Sequence, residues 1–143
     1  MIRKITENDR AAYREMAHEF YHSPAVLHAV PDAHFERCFD ELMAGSPYAD
    51  ALIFEHEGET AGYALLSKTY SQEAGGLCVW IEEIYVRPAF RKKGLGKAFF
   101  HALPRIIPAA RYRLEIEPDN ARAERLYRSM GFEPLLYRQL VLD

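Results

Sequence analysis

A chain of 143 residues, 49% apolar and 27% charged, has the composition of an ordinary globular protein and the length of one domain with a substantial core. Its formal net charge of -3 argues against a general nucleic-acid binder, and no apolar run approaches the roughly 18 residues that a membrane span requires. Cys38 and Cys78 lie far apart without metal-type spacing and read as reduced thiols of a cytoplasmic protein, and the N-terminus MIRKITENDR lacks the apolar stretch of a signal peptide.

With no repeat, low-complexity tract or linker, residues 1–143 read as a single unit. MIRKI is a short first strand. A helix follows, with Thr6 as N-cap and Asp9 at the capping-box distance, and Ser23-Pro24 stops it. SPAVLHAVPDA is a loop. Asp32 is placed to cap a second helix, in which Phe35, Cys38, Phe39 and Leu42 recur at helical spacing. ALIFEHE, a turn at Gly58 and TAGYALLSKTY predict a β-hairpin. LCVWIEEIYV is a further strand, closed by Arg87-Pro88. Leu95, Ala98, Phe99 and Ala102 give a third helix that Pro104 ends or kinks. RYRLEIE is a strand, and Pro118-Asp119-Asn120 breaks it. Ala123, Leu126, Tyr127 and Met130 mark a fourth helix, with Gly131 where a left-handed C-terminal glycine belongs. PLLYRQLVLD reads as a last strand. The order β-α-α-β-β-β-α-β-α-β predicts a mixed α/β domain around one central sheet.

The stretch RKKGLGKAFF places cations and glycines between a strand and a helix. The unpaired N–H groups and partial positive charge of a helix N-terminus suit a pyrophosphate. Glycines let the backbone approach it, and Arg91, Lys92, Lys93 and Lys97 add charge. The P-loop pattern fails, because Arg91 stands where its first glycine belongs and Ala98 where its Ser/Thr belongs. The dinucleotide pattern fails as well, since Phe99 takes the place of the third glycine.

The pattern that fits is R-x-x-G-x-G after a strand ending in YVRP. IEEIYVRPAFRKKGLGKAFF resembles the acetyl-CoA-binding motif of the GCN5-related N-acetyltransferases (GNAT), and EIEPDNARAERLYRSMGF resembles the later motif of that family. Together they cover roughly Leu77 to Phe132, and the element order before them is similar too. The resemblance implies a GNAT fold, a mostly antiparallel twisted sheet with helices on both faces, and acetyl-CoA as co-substrate without a metal. It implies that Arg91, Lys92, Lys93, Gly94, Leu95, Gly96 and Lys97 surround the CoA pyrophosphate. Ile84 and Val86 would pair through their backbone with the pantetheine arm, and Asn120 would hydrogen-bond that arm or its loop. Tyr127 would be the general acid.

Acetyl transfer to an amine needs an unprotonated amine, a stabilised oxyanion and a proton for the departing thiolate. A phenol is protonated at neutral pH, so Tyr127 can supply that proton; the alternative is a tyrosine that merely packs on its helix stripe. Glu82 and Glu83 are adjacent, and a strand sends neighbours to opposite faces unless a bulge intervenes. The chain is similar to the diamine-type branch, whose strand reads LED where this one reads IEE. That alignment makes Glu82 the base and gives Glu83 a part in holding a cationic substrate; the alternative is a carboxylate paired to a neighbour such as Arg113. His18-Glu19-Phe20-Tyr21-His22 matches a zinc-protease pattern, but Ser23-Pro24 breaks the helix at once and no third ligand motif follows. In the family this region flanks the acceptor, which makes Glu19, Tyr21 and His22 substrate-contact candidates; the alternative is a solvated helix end with a histidine favoured near its C-terminal dipole. A small cationic amine is the expected acceptor. A peptide N-terminus is the rival, and a non-catalytic acyl-CoA sensor is the alternative from another class. The apolar final strand offers an interface for a homodimer; the alternative is a covered edge strand, which has the same composition.

Overall fold

The computed structural model describes residues 1–143. Strands β1 (Ile2–Lys4), β2 (Ala49–His56), β3 (Glu59–Ser71), β4 (Gly76–Val86) and β5 (Arg111–Leu114) form one five-stranded sheet in that spatial order. Neighbours from β1 to β4 pair antiparallel, and β5 runs parallel to β4. The helices are α1 (Arg10–Tyr21), α2 (Asp32–Met43), α3 (Leu95–Ile106) and α4 (Ala121–Ser129).

Strand alternation divides the core in two. On one face Leu52, Phe54, Leu66, Val79 and Ile81 pack against Phe99, Phe100 and Leu103 of α3, with Tyr127 of α4 at the margin. On the other, Ile53, Tyr63 and Tyr85 meet Tyr13, Met16 and Phe20 of α1 and Phe35 and Phe39 of α2. The expected helices on both faces of a mostly antiparallel sheet are therefore present. The β2–β3 hairpin turns through Glu57 (φ 51°) and Gly58 (φ 80°), the paired positive angles that match the twist of antiparallel strands. Asp9 accepts the Thr6 N–H at 2.8 Å, as the capping pattern predicts. It also takes a bidentate Arg3 guanidinium at 2.8 Å, which ties β1 to the entry of α1.

Three local expectations need correction. Pro31, not Asp32, is the N-cap of α2, and Asp32 opens its first turn. Pro104 does not end α3, which runs on to Ile106, because a proline so near the C-terminus removes only one late hydrogen bond. The predicted last strand, PLLYRQLVLD, is absent. Its apolar residues come in the groups Leu135-Leu136-Tyr137 and Leu140-Val141-Leu142 instead of alternating, so no single face is selected for pairing. Leu136, Leu140 and Leu142 are exposed. The segment stands off β5 across a cleft of about 700 Å³ lined by Tyr112, Leu114, Leu135 and Tyr137.

Candidate active site

The site grows from a defect in β4. Ile81 pairs with Leu66 and Glu83 with Leu65, so Glu82 has no partner and forms a bulge. Ile81 and Ile84, three positions apart, both pack on the α3 side. Glu82 and Glu83 consequently share the α1/α2 side, where simple alternation would have separated them. The contacts agree: Ser67 Oγ donates to Glu82 Oε1 at 2.6 Å, and Tyr21 donates to Glu83 Oε1 at 2.5 Å. Tyr63, in the core beneath, donates to Glu83 Oε2 at 2.5 Å. Glu83 is only 8% exposed; burial pushes its carboxyl above the usual range, opposed by the two phenol donors and reinforced by the neighbouring charge of Glu82. Glu82 is exposed.

Beyond Ile81 the parallel pairing stops, and β4 and β5 part. The gap is a cleft of about 130 Å³ whose walls include Glu82, Glu83, Glu115, Glu117, Asn120 and Tyr127, and no lysine, arginine or histidine. None of its four glutamates belongs to an ion pair; the arginine suspected as a partner, Arg113, instead lies 4.1 Å over the ring of Trp80. The sequence reading missed Glu115 and Glu117, although their i, i+2 spacing at the end of a predicted strand puts them on one side of it. It also missed Tyr63, which nothing in the local pattern distinguishes from a core aromatic.

Past the bulge, the outer edge of β4 is free. The Arg87 N–H bonds Ala61 on β3, so ladder alternation turns the peptide groups of Ile84 and Val86 to the open edge. The Val86 carbonyl there accepts from Arg91 Nε at 3.0 Å. Gly94 caps α3 at φ 77°, and a Cβ placed on it would meet nothing within 4 Å. Lys92 also has a positive φ, 62°. The first helical bond of α3 runs from Ala98 to Gly94, which leaves the N–H groups of Leu95, Gly96 and Lys97 without a partner in the chain. Lys92, Lys93 and Lys97 are exposed around them. This loop has the open, cationic N–H cradle that a pyrophosphate requires.

Asn120 caps α4, accepting the Ala123 N–H at 3.1 Å, so its Oδ1 is already occupied. Tyr127 packs against Phe100 and Phe132 with ring centroids 5.6 and 6.2 Å away. Burial alone raises its phenol above the ordinary value, and no hydrogen bond contributes. On the other side of the sheet, α1 is fixed to β4 by Glu15–Arg87 at 3.2 Å and by Tyr85 donating to Glu19 at 2.6 Å, together with the Tyr21–Glu83 bond. Glu19 thus serves Tyr85, and His22 is exposed with Nδ1 2.7 Å from the His18 carbonyl. The rings of His18 and His22 stack at 4.1 Å, and His18 lies 3.1 Å from Asp32. No group of three or more metal-ligating side chains is assembled anywhere in the chain.

A strand bulge and a splayed parallel pair open the cleft, and a basic helix N-terminus follows at the free edge of the same strand; together they make the architecture of an acyl-CoA-dependent acetyltransferase. The family model for the acetyltransferase (GNAT) family matches residues 10–132; the chain belongs to that family and is an N-acetyltransferase with acetyl-CoA as acyl donor. A spermine/spermidine N(1)-acetyltransferase of Bacillus subtilis is 24% identical over 138 residues, covering 92% of this chain and 86% of that protein. A putative ribosomal-protein alanine N-acetyltransferase of the same species is 28% identical over 99 residues, 67% of this chain and 61% of the other. A crystal structure of an aminoglycoside N-acetyltransferase in complex with CoA superposes with a TM-score of 0.80 at 19% identity, covering 100% of this chain and 93% of that one. At that identity the likeness is one of fold. No helix is long and apolar enough to cross a membrane.

Proposed function

We propose that the chain transfers the acetyl group of acetyl-CoA to a small cationic amine by direct attack in a ternary complex. One observation carries the choice of acceptor: the cleft beside the β4 edge is walled by Glu82, Glu83, Glu115 and Glu117, none of them ion-paired, with no cationic side chain among its lining residues. An ammonium group entering there meets uncompensated negative charge. The polyamine substrate in the name of the Bacillus subtilis relative supports the same reading.

In this mechanism the basic loop from Arg91 to Lys97 holds the pyrophosphate of acetyl-CoA. The peptide groups of Ile84 and Val86 hold the pantetheine arm, and the free Nδ2 of Asn120 steadies it. The N–H near Val86 stabilises the oxyanion as the carbonyl carbon becomes tetrahedral. Glu82, exposed and held by Ser67, accepts the proton of the incoming ammonium, directly or through water, and frees the lone pair that attacks. Tyr127, whose hydroxyl is uncommitted, gives its proton to the departing thiolate. Glu83 acts from beneath the site, held there by Tyr21; the α1 residue that lines the cleft is Phe20, while Glu19 is committed to Tyr85 and His22 to the His18 carbonyl. Exposed Leu136, Leu140 and Leu142 favour self-association of two copies, which light scattering tests. The free thiols of Cys38 and Cys78 suit a reducing cytoplasm.

The test is thiol release from acetyl-CoA against a panel of polyamines, amino acids, aminoglycosides and short peptides. Turnover with polyamines or other multiply charged amines is the expected result. Turnover with peptide N-termini alone would replace the small-amine acceptor. Binding of acetyl-CoA without turnover on any amine would favour a sensor.

A further inference from the structure

Glu83 stands out among the buried groups. It is a carboxylate with 8% exposure and no cationic partner, yet both oxygens are satisfied, one by each of two phenols. Tyr21, the last residue of α1, reaches Oε1 at 2.5 Å, and Tyr63 on β3 reaches Oε2 at 2.5 Å. Its other ionisable neighbours are Tyr13, Cys38 and Glu82. A buried carboxylate is costly unless hydrogen-bonded. A bulge is also the point at which strand register is most easily lost, because a slip of one residue reverses every following side chain.

We infer that Tyr21 and Tyr63 are positioning residues for acetyl transfer: by clamping both oxygens of Glu83 they fix the β4 bulge. The inference rests on the acetyl-transfer reading of this cleft. The clamp sets two things at once. It holds Glu83 down, so that the unpaired residue of the bulge, Glu82, is the carboxylate presented to the acceptor. It also locks the register after the bulge, which decides that the peptide groups of Ile84 and Val86 face the open edge. Tyr63 brings the hydroxyl from the neighbouring strand, two residues from Leu65, the register partner of Glu83. Tyr21 brings the other from the helix across the sheet, so the bulge is held from two independent elements.

The full-length chain carrying Tyr63→Phe, Tyr21→Phe, Glu83→Gln, or either phenylalanine together with Glu83→Gln tests this. Phenylalanine keeps the packing volume but strips one Glu83 oxygen of its donor, so a thermal melt establishes that each variant is folded before it is assayed. Amide hydrogen exchange across Ile81–Ile84 is the readout that needs no acceptor, and each single phenol variant is expected to speed it about tenfold while exchange in α3 stays unchanged. With an amine from the panel that turns over, kcat at saturating acetyl-CoA should fall by about tenfold or more, as small misplacements do, with the acetyl-CoA dissociation constant within about twofold. In the Glu83→Gln background the phenylalanines should cost less than about twofold further, because their effect runs through Glu83. Unchanged exchange at the bulge would overturn the clamp. Faster exchange with unchanged kcat would overturn its role in positioning, and so would kcat and acetyl-CoA affinity falling together, the pattern of a merely structural loss. If no amine turns over, the acceptor reading has failed, and the exchange arm alone decides whether the phenols hold the bulge.

Discussion

Tyr127→Phe separates chemistry from stability more cleanly than any other substitution in this chain. The ring fills space against Phe100 and Phe132, at 5.6 and 6.2 Å between centroids, and phenylalanine keeps that packing. The hydroxyl makes no hydrogen bond, and burial alone makes the phenol a weaker acid, so its removal leaves no partner stranded. Stability should change by no more than about 0.5 kcal/mol, a shift in melting temperature of about 2 °C. Catalysis should suffer much more. A general acid contributes about 100-fold or more, equivalent to about 2.7 kcal/mol of barrier, so kcat should fall by at least that factor while the KM for acetyl-CoA holds. The sign of the acidity shift adds a second check. A phenol raised above its ordinary 10.0 stays protonated at every pH below that value, so Tyr127 should place no basic limb on the wild-type rate profile up to about pH 9. Steady-state thiol release, calorimetry with acetyl-CoA and a thermal melt measure all three quantities on one preparation. Unchanged kcat, or a kcat loss matched by a fall in melting temperature, would refute the general-acid assignment.

Gly62→Ala should destabilise by roughly 1–3 kcal/mol, because the new Cβ would meet the Tyr85 carbonyl oxygen at 2.3 Å and the Phe54 ring at 3.0 Å; urea denaturation reads it. Gly94→Ala meets no atom within 4 Å but must hold φ 77°, a backbone strain of about 1–2 kcal/mol at the mouth of the anion cradle, so acetyl-CoA affinity measured by calorimetry should fall. Asp9→Asn should cost about 1.5 kcal/mol by weakening the charged hydrogen bonds to Arg3, which keeps its second partner Glu55 at 2.7 Å. Asp9 is held below its ordinary 3.8 by Arg3, so its contribution is present above about pH 3.8 and lost as pH falls through the lowered value. Glu83 has the opposite sign: raised from 4.5 by burial, it keeps in the folded state a proton the unfolded chain has lost. Its contribution is therefore largest in acid and declines as pH rises from about 4.5 through the raised value. Glu83→Gln should remove that decline from a stability profile taken between pH 4 and 8.

The parts of the site that were legible in the sequence are those dictated by local backbone chemistry. The glycines and cations of Arg91–Lys97 announce an open helix N-terminus wherever they occur, and the stripe through Leu126 and Tyr127 announces a helix that carries a phenol inward. What was not legible depends on pairing partners. Whether Glu82 and Glu83 diverge or share a face is decided by how Ile81 and Glu83 register against Leu66 and Leu65, and the chain around the glutamates contains no trace of that choice. Tyr63 has the sequence context of any core aromatic, and only the fold brings its hydroxyl to a carboxylate twenty residues away. The final segment failed for a related reason: PLLYRQLVLD has strand composition, but its paired apolar groups give no alternation that would select one face for pairing with β5.

The bulge and the splay are two consequences of one geometric constraint. Through Ile81, β4 is paired on both edges, to Leu66 on β3 and to Leu114 on β5. The extra residue enters at Glu82, immediately after the last parallel partner. A bulge sharpens local twist and bends the strand that carries it, so β4 turns away from β5 at the very residue where their pairing ends. That bend opens the cleft, bares the peptide groups of Ile84 and Val86, and leaves both glutamates on the α1 side, away from the α3 face. On the proposed reading, the edge that takes acetyl-CoA and the cleft that takes the amine then belong to the same strand. The proposed mechanism depends on that arrangement, because a thioester held at the open edge of β4 can be reached from the glutamate side only where the sheet has come apart.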